Sequence, residues 1–235
     1  MKTSYKEYID TLSKISKAIT SDLYLEDVLK LIVTLTAGVL HAKICSLWLL
    51  DEDGKNLKIR ATQTMSKLYL KERTLNAGEG VVGFVAKSKK PKIVEDVLKE
   101  KIFKEKTLAK KENLVSLLSV PMMIKNRVIG VINIYTTSVH KFTKSEVDLL
   151  SVVANQAAVA IENTELLVKA QIAQAELEGR KKIERAKGIL MREQSLDEDK
   201  AFRLMRNSSM DKRVSMKSIA EAIILSYDIR KPEIK

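Results

Sequence analysis

The sequence predicts an α+β fold with two parts of different secondary structure. Between residues 44 and 135, short runs rich in β-branched and apolar residues alternate with turn dipeptides, a pattern typical of antiparallel hairpins. From Thr143 to Glu178 the chain has no glycine or proline, which predicts one long helix. After Gly179, apolar residues at helical spacing predict three short helices. A chain of 235 residues is long enough for two unequal domains.

The first part begins with two amphipathic helices between Ser4 and Leu40 and continues into a mostly antiparallel sheet. Asp53-Gly54 and Lys125-Asn126-Arg127 are turn sequences that join two pairs of strands into hairpins. A short helix follows Gly78-Glu79-Gly80, and a solvated loop or helix covers 99–112. The predicted strands are Ile44–Leu50, Leu57–Thr62, Lys92–Val94, Leu117–Met123 and Val128–Tyr135.

The long helix has a clear predicted start. Thr143 and Glu146 form a capping box, and Phe142 can pack on Val147 as a hydrophobic staple. The helix would extend about 54 Å, longer than one small domain needs, so we expect a coiled-coil-type linker and a homodimer. The predicted seam is Leu150, Val153, Ala157, Ala160, Ile161, Thr164 and Leu167, followed by Gln171 and Gln174.

Three amphipathic helices are predicted to bury a small core in the last part of the chain. The first is Arg180–Met191, and the second begins at Ser195, capped with Glu198. The third begins near Ser215. We expect the second helix to bury Ala201, Leu204, Met205 and Ser208.

Positive charge is concentrated in this helical module. The whole chain has a formal charge of +12, and between Arg180 and Lys217 twelve basic residues face six acidic ones, a balance of +6. Such a surface suits the phosphates of RNA or DNA. Composition does not choose between these, and a DNA-binding regulator or a dimeric, non-catalytic signalling scaffold with a basic tail stay open. Against DNA, the connection Met210–Val214 is not the tight turn of a helix-turn-helix.

Several classes of protein are disfavoured by composition. One cysteine, Cys45, and two histidines, His41 and His140, cannot assemble a zinc site of Cys/His type, so no metal is expected. The N-terminus lacks a secretion signal, and no apolar run is long enough to span a bilayer. We therefore expect a cytoplasmic protein without a membrane partner.

The helical module resembles the ANTAR family. The residues that carry the resemblance are Ile183-Glu184-Arg185-Ala186-Lys187-Gly188-Ile189-Leu190-Met191, then Ala201-Phe202-Arg203-Leu204-Met205-Arg206 and Ser218-Ile219-Ala220. The resemblance implies a three-helix module that binds paired stem-loops in nascent messenger RNA and stabilises an antiterminator, in association with the transcription machinery. It implies RNA contacts by Lys187, Arg206 and Arg213, supported by phosphate contacts from Arg180, Arg203, Lys212 and Lys217. Gly188 would permit close packing of helices or close approach of RNA.

The first part resembles a GAF domain, through Gly78-Glu79-Gly80-Val81-Val82-Gly83, Leu118-Ser119-Val120-Pro121-Met122 and the exit helix Ala154–Asn163. This resemblance implies a sensor domain over 1–165, followed by linker helix over 166–179 and the ANTAR-like domain over 180–230. Trp48, Phe84, Asp96 and Met122 are candidates to line a pocket for a small molecule whose identity stays unknown, although core packing explains all but Asp96 equally well.

Catalysis is not expected. One GAF branch reduces free methionine sulfoxide with several cysteines, whereas this chain has one. Our hypothesis is a regulator whose sensor half senses a ligand or partner, shifts the long helix, and makes two RNA-binding modules of a dimer available together for two stem-loops.

Overall fold

A computed structural model describes residues 5–64 and 74–230, which form two compact units divided between Thr164 and Glu165. Unit 1 precedes this division and unit 2 follows it. Unit 1 is a six-stranded antiparallel sheet with helices on both faces. Its helices are α1 (Tyr5–Ile19), α2 (Leu25–Val39), α3 (Gly80–Ser88), α4 (Lys106–Lys111) and the beginning of α5 (Lys144–Gln194). Its strands are β1 (Ile44–Leu50), β2 (Asn56–Thr62), β3 (Thr74–Asn76), β4 (Lys92–Val94), β5 (Leu117–Ile124) and β6 (Arg127–Tyr135).

The sheet order is β3-β2-β1-β6-β5-β4, and every neighbouring pair is antiparallel. This confirms the predicted hairpins β1–β2 and β5–β6 and the α+β fold class. Both hairpin turns contain a residue in the left-handed region, Gly54 at φ 69° and Lys125 at φ 53°. Gly130 permits the close pairing of β6 with β1, because a Cβ there would lie 2.1 Å from the carbonyl oxygen of Trp48.

Successive strand residues point to opposite faces of the sheet, so each face builds its own core. On one face, α1, α2 and the first turns of α5 pack over Cys45, Leu47 and Ile132. On the other, α3 and α4 pack over Ile44, Trp48 and neighbouring strand residues. Burial raises the pKa of the Cys45 thiol, which keeps it protonated as a core residue.

The predicted capping box at the start of α5 is confirmed. The backbone N–H of Thr143 donates to Glu146 at 2.7 Å, and the N–H of Glu146 donates to Thr143 Oγ1 at 3.3 Å. Phe142 is buried and Val147 packs against the same core, as a staple requires.

Unit 2 differs from the sequence prediction at the end of α5. The helix does not break at Gly179 but continues to Gln194, so the predicted separate helix from Arg180 is the last part of α5. The helical cost of one glycine is only about 1 kcal/mol, and apolar packing of the following turns offsets it. Ser195, at φ 52°, ends the helix in the left-handed region.

Two further helices complete unit 2, α6 (Glu198–Lys212) and α7 (Met216–Arg230). The predicted Ser195 cap is wrong, because Asp197 caps α6 by accepting the N–H of Lys200 at 2.8 Å. Leu204 is 41% exposed, so its predicted burial is also wrong. The core of the unit contains Ala186, Leu190, Ala201, Met205, Ile219 and Ala220.

Within the described ranges 5–64 and 74–230, no helix has the length and apolar character needed to cross a membrane.

Candidate nucleic-acid interface

Some basic side chains of unit 2 are engaged in ion pairs between helices. Lys182 of α5 lies 2.7 Å from Glu221 of α7, and Arg185 lies 2.8 Å from Asp228. The pKa of Glu221 is lowered chiefly by the hydrogen bond from Lys182. These cations hold α5 against α7, so they contribute less to a phosphate-binding surface than their number in the sequence indicates.

Lys187, predicted to face RNA, is held in an ion-pair cluster. Its side chain is 11% exposed, and its Nζ lies 2.7 Å from carboxylate oxygens of both Glu184 and Glu198. Hydrogen bonds to Glu184 and Glu198 raise the pKa of Lys187, and the bond from Lys187 lowers the pKa of Glu198. In this arrangement the ammonium group links α5 to α6.

The other six predicted cations are exposed. Arg203 and Arg206 lie one turn apart on α6, away from the buried residues Ala201 and Met205. Lys212 ends α6, and Arg213 is its C-cap at φ 53°. These four residues are therefore distributed along α6 and the turn that follows it.

The remaining pair lies where α5 and α7 meet. The Cδ of Lys217, in the first turn of α7, lies 3.8 Å from the position that a Cβ on Gly179 would occupy. Lys217 thus packs beside the residue that precedes Arg180. Gly188, in contrast, has no neighbour within 4 Å of such a Cβ, so the predicted close helix packing does not explain it.

Phe202 was missed by the sequence reasoning. It is 44% exposed and lies one turn before Arg206, on the same face of α6. An exposed aromatic ring beside arginines is suited to stacking on unpaired bases. The signal was present in the sequence, because helical spacing places Phe202 outside the buried stripe of Ala201 and Met205.

We define the α6 surface as the exposed residues Phe202, Arg203 and Arg206 on the helix with Lys212 and Arg213 at its end. It combines an aromatic ring with four cations. Asp197 and Asp199 lie at the beginning of α6 and Asp211 lies in its last turn, so the middle of the helix, with Arg203 and Arg206, is its most positive part. This surface can bind phosphates and stack a base.

The four candidate pocket residues of unit 1 do not form one group. Trp48 is buried in the core under α3, whereas Met122 is buried in the core on the other sheet face. Phe84 is 44% exposed and the Nζ of Lys92 lies 5.3 Å from its ring centroid. Asp96 accepts a hydrogen bond from the backbone N–H of Leu98 at 2.9 Å. This hydrogen bond is the main reason why the pKa of Asp96 is lowered.

Comparisons with known families agree with the two-unit arrangement. The profile of the GAF domain matches residues 24–161, and the profile of the ANTAR domain matches residues 171–224. The ANTAR match includes the last turns of α5, all of α6 and most of α7.

Curated relatives match different shares of this chain. The phosphoenolpyruvate-dependent phosphotransferase system of Escherichia coli is 26% identical over 66% of this chain and 21% of its own length. The Nif-specific regulatory protein of Herbaspirillum seropedicae is 24% identical over 76% of this chain and 35% of its own. The transcriptional regulatory protein PdtaR of Mycobacterium tuberculosis is 42% identical over 20% of this chain and 23% of its own. The chain thus spans only about a fifth to a third of each relative.

Solved structures show the same fold for unit 1. The GAF domain of a phosphoenolpyruvate-protein phosphotransferase from Coxiella burnetii superposes with a TM-score of 0.64 at 22% identity, covering 70% of this chain and 98% of that one. The free methionine-R-sulfoxide reductase of Neisseria meningitidis gives a TM-score of 0.59 at 17% identity, covering 71% and 96%. At these identities the likeness concerns the fold alone.

Proposed function

The chain belongs to the GAF domain family and carries an ANTAR domain after it, and on this basis we propose that it is a signal-responsive, RNA-binding transcription antiterminator. Its domain composition is that of a regulator. In the proposal, the ANTAR unit binds paired stem-loops in nascent messenger RNA, and the GAF unit responds to a ligand or partner without catalysing a reaction.

The observation that carries the proposal is the α6 surface. Its arginines and lysine are exposed, while several other cations of unit 2 are engaged in ion pairs between helices. Phosphate contacts by arginine and lysine supply affinity, and stacking on Phe202 supplies contact with unpaired loop bases, which single-stranded loops of RNA offer and a DNA duplex does not. The surface therefore suits a folded RNA with exposed loops.

A DNA-binding role has one structural feature in its favour. The connection between α6 and α7 is only Arg213-Val214-Ser215, so the predicted absence of a tight turn is wrong. A helix-turn-helix would insert α7 into the major groove. However, α7 carries Glu221 and Asp228 beside exposed apolar residues such as Leu225. Its sole Arg, Asn or Gln side chain is Arg230 in the last turn, whose guanidinium donates to Ser226 of the same helix, so α7 offers few groups that could read base edges. We therefore favour RNA.

The test is a binding titration of the full chain at physiological salt. The probes are a paired-hairpin RNA, the same RNA with scrambled loops, a single hairpin, and duplex DNA of equal length. We expect preference for the paired hairpin, and loss of that preference in Arg206→Ala with an unchanged circular dichroism spectrum. Equal binding to all probes would overturn the proposal, and preference for duplex DNA would establish the alternative.

A further inference from the structure

A cleft of about 810 Å³ lies in unit 1 where β6 ends and α5 begins. Its walls are the beginning of α1, the residues that end α2, the connection between β6 and α5, and the first turn of α5. This volume is within the range of roughly 300 to 1,000 Å³ that is typical of small-molecule sites. We call it the α5 cleft, and its aromatic and ionisable lining residues are Tyr5, Tyr8, His41, His140 and Glu146.

Glu146 is a largely buried carboxylate without a permanent counter-ion. Its side chain is 13% exposed, and its ion-pair partner among the described residues is His140, which is charged only when it is protonated. In the other ion pairs between described residues, the acidic side chains are 21–70% exposed, and each has a lysine or arginine partner. Glu146 therefore combines low exposure with weak compensation of its charge.

The hydrogen bonds of Glu146 leave part of its capacity available. Its Oε2 accepts from the backbone N–H and the hydroxyl of Thr143 at 2.7 and 2.9 Å, and its Oε1 lies 2.9 Å from His140 Nε2. Because a carboxylate has about four lone-pair positions, Oε1 can accept one further donor. The beginning of α5 supplies a partial positive charge of about half an elementary charge, which offsets only part of the charge of Glu146. A positively charged donor in the cleft would complete both.

Two tyrosines of α1 form an aromatic wall of the same cleft. The rings of Tyr5 and Tyr8 meet edge to face, with their centroids 6.4 Å apart. Burial is the main cause that raises the pKa of Tyr8, and the negative charge of Glu146 is the next. The phenol of Tyr8 thus lies within the field of Glu146. Aromatic ring faces attract ammonium groups, and their apolar surface packs against hydrocarbon.

The lining of the cleft disfavours an anionic ligand. No lysine or arginine is among the described residues that line it, so an anion would find no fixed cation there. We propose that the α5 cleft binds a small organic amine, whose ammonium group donates to Glu146 and whose apolar body packs against Tyr5 and Tyr8. The inference rests on the proposed function of unit 1 as a sensor, and it names the chemical class of the ligand.

An amine at this position would act on the start of α5. Glu146 forms the capping box with Thr143, so a donor on Oε1 would hold the carboxylate in the conformation that caps the helix. Amide hydrogen exchange in the first turn of α5 should therefore become slower when the amine is bound.

The test is an NMR titration of the full chain without RNA. The chain has two histidines, and since both line the cleft, their imidazole signals report its occupancy. The probes are phenethylamine and hexylamine, each compared with its neutral alcohol, 2-phenylethanol or 1-hexanol, and with phenylacetate or hexanoate as the anion. An amine should shift both histidine signals and bind about tenfold more tightly than its alcohol, as expected for a hydrogen bond to a charged group.

Three variants locate the site. Glu146→Gln should reduce the amine affinity to that of the alcohol, and it retains the cap because glutamine also serves in a capping box. Glu162→Gln removes a carboxylate of α5 that pairs with Arg127 outside the cleft, so it should bind amines like the parent chain. Thr137→Trp fills the cleft from the exposed connection before α5 and should abolish binding without touching the cap.

Three results would overturn the inference. They are unshifted histidine signals with both amines, equal affinities of amine and alcohol in the parent chain, and equal amine affinities of Glu146→Gln and Glu162→Gln. Because the titration contains no RNA, absence of amine binding in a chain that prefers the paired hairpin would overturn this inference alone. Amine binding in a chain without that preference would support the cleft and overturn only the proposed role in antitermination.

Discussion

The ammonium nitrogen of Lys187 on α5 lies 2.7 Å from a carboxylate oxygen of Glu198 in the first turn of α6. This ion pair links α5, the helix that leaves unit 1, to the helix that carries the α6 surface. In the proposed function, Lys187 would therefore affect RNA binding through the position of α6, in addition to any direct contact.

The link predicts that Lys187→Met reduces RNA binding together with the stability of α6, while Arg206→Ala reduces binding alone. The measurement is amide hydrogen exchange of α6 in the full chain, with RNA affinity measured in parallel. Combining Lys187→Met with Glu198→Gln should produce less than the sum of the single effects, because both changes remove the same contact. Unchanged exchange in Lys187→Met would show that its role is direct.

Acidification should loosen the same contact. The hydrogen bond from Lys187 lowers the pKa of Glu198 in the folded chain. The stability that this contact contributes to the fold is therefore fully present above the ordinary glutamate pKa of about 4.3, and it is lost as the pH falls through the lowered value. Hydrogen exchange of α6 should accelerate in that window. Glu198→Gln should remove part of this pH dependence, and an unaltered profile would contradict the assignment.

The cations of the α6 surface should contribute to RNA affinity by contacting phosphates. For Arg206→Ala and Arg213→Ala, we expect the slope of log affinity against log salt to become shallower by about 0.7 to 0.9 for each lost contact. Arg60→Ala, which removes the same charge from unit 1, is the control and should leave the slope unchanged. An equal loss of slope in all three variants would indicate only a nonspecific effect of net charge.

Phe202 should matter for RNA but not for folding. Phe202→Ala should weaken binding of the paired hairpin by about tenfold, within the 1–3 kcal/mol typical of a stacked base. Leu204→Ala is the matched control, since Leu204 is 41% exposed on another side of the same helix. Titration with hairpins whose loop bases are replaced by abasic residues should remove the difference between Phe202→Ala and the parent chain.

The substitution Gly188→Ala distinguishes an effect on helix stability from an effect on RNA binding. Alanine at this position meets no atom within 4 Å, and it should stabilise the helix by about 0.5 to 1 kcal/mol, measured as a rise in the unfolding temperature. If RNA approaches the backbone there, Gly188→Ala will bind more weakly despite its greater stability. An unchanged RNA affinity would show that RNA does not approach the backbone at Gly188.

Much of the architecture could be predicted from the sequence because its signals are local. Asp53-Gly54 specified a hairpin turn, Thr143 and Glu146 specified the start of α5, and the motif Ala186-Lys187-Gly188 indicated the ANTAR family, each from a few neighbouring residues. The predicted contacts of individual cations with RNA stay predictions.

Tertiary structure decided the features that depend on what each side chain meets. Helix α5 has apolar residues on more than one face, and only packing against the sheet shows that Leu150 and Ile161 are buried while Val152 and Val159 are exposed. Lys187 looks like its neighbouring lysines in the sequence, and only the approach of α6 places Glu198 beside it. Periodicity specifies which residues share a helix face, but the choice of the buried face and the pairing of charges depend on contacts between residues distant in the chain.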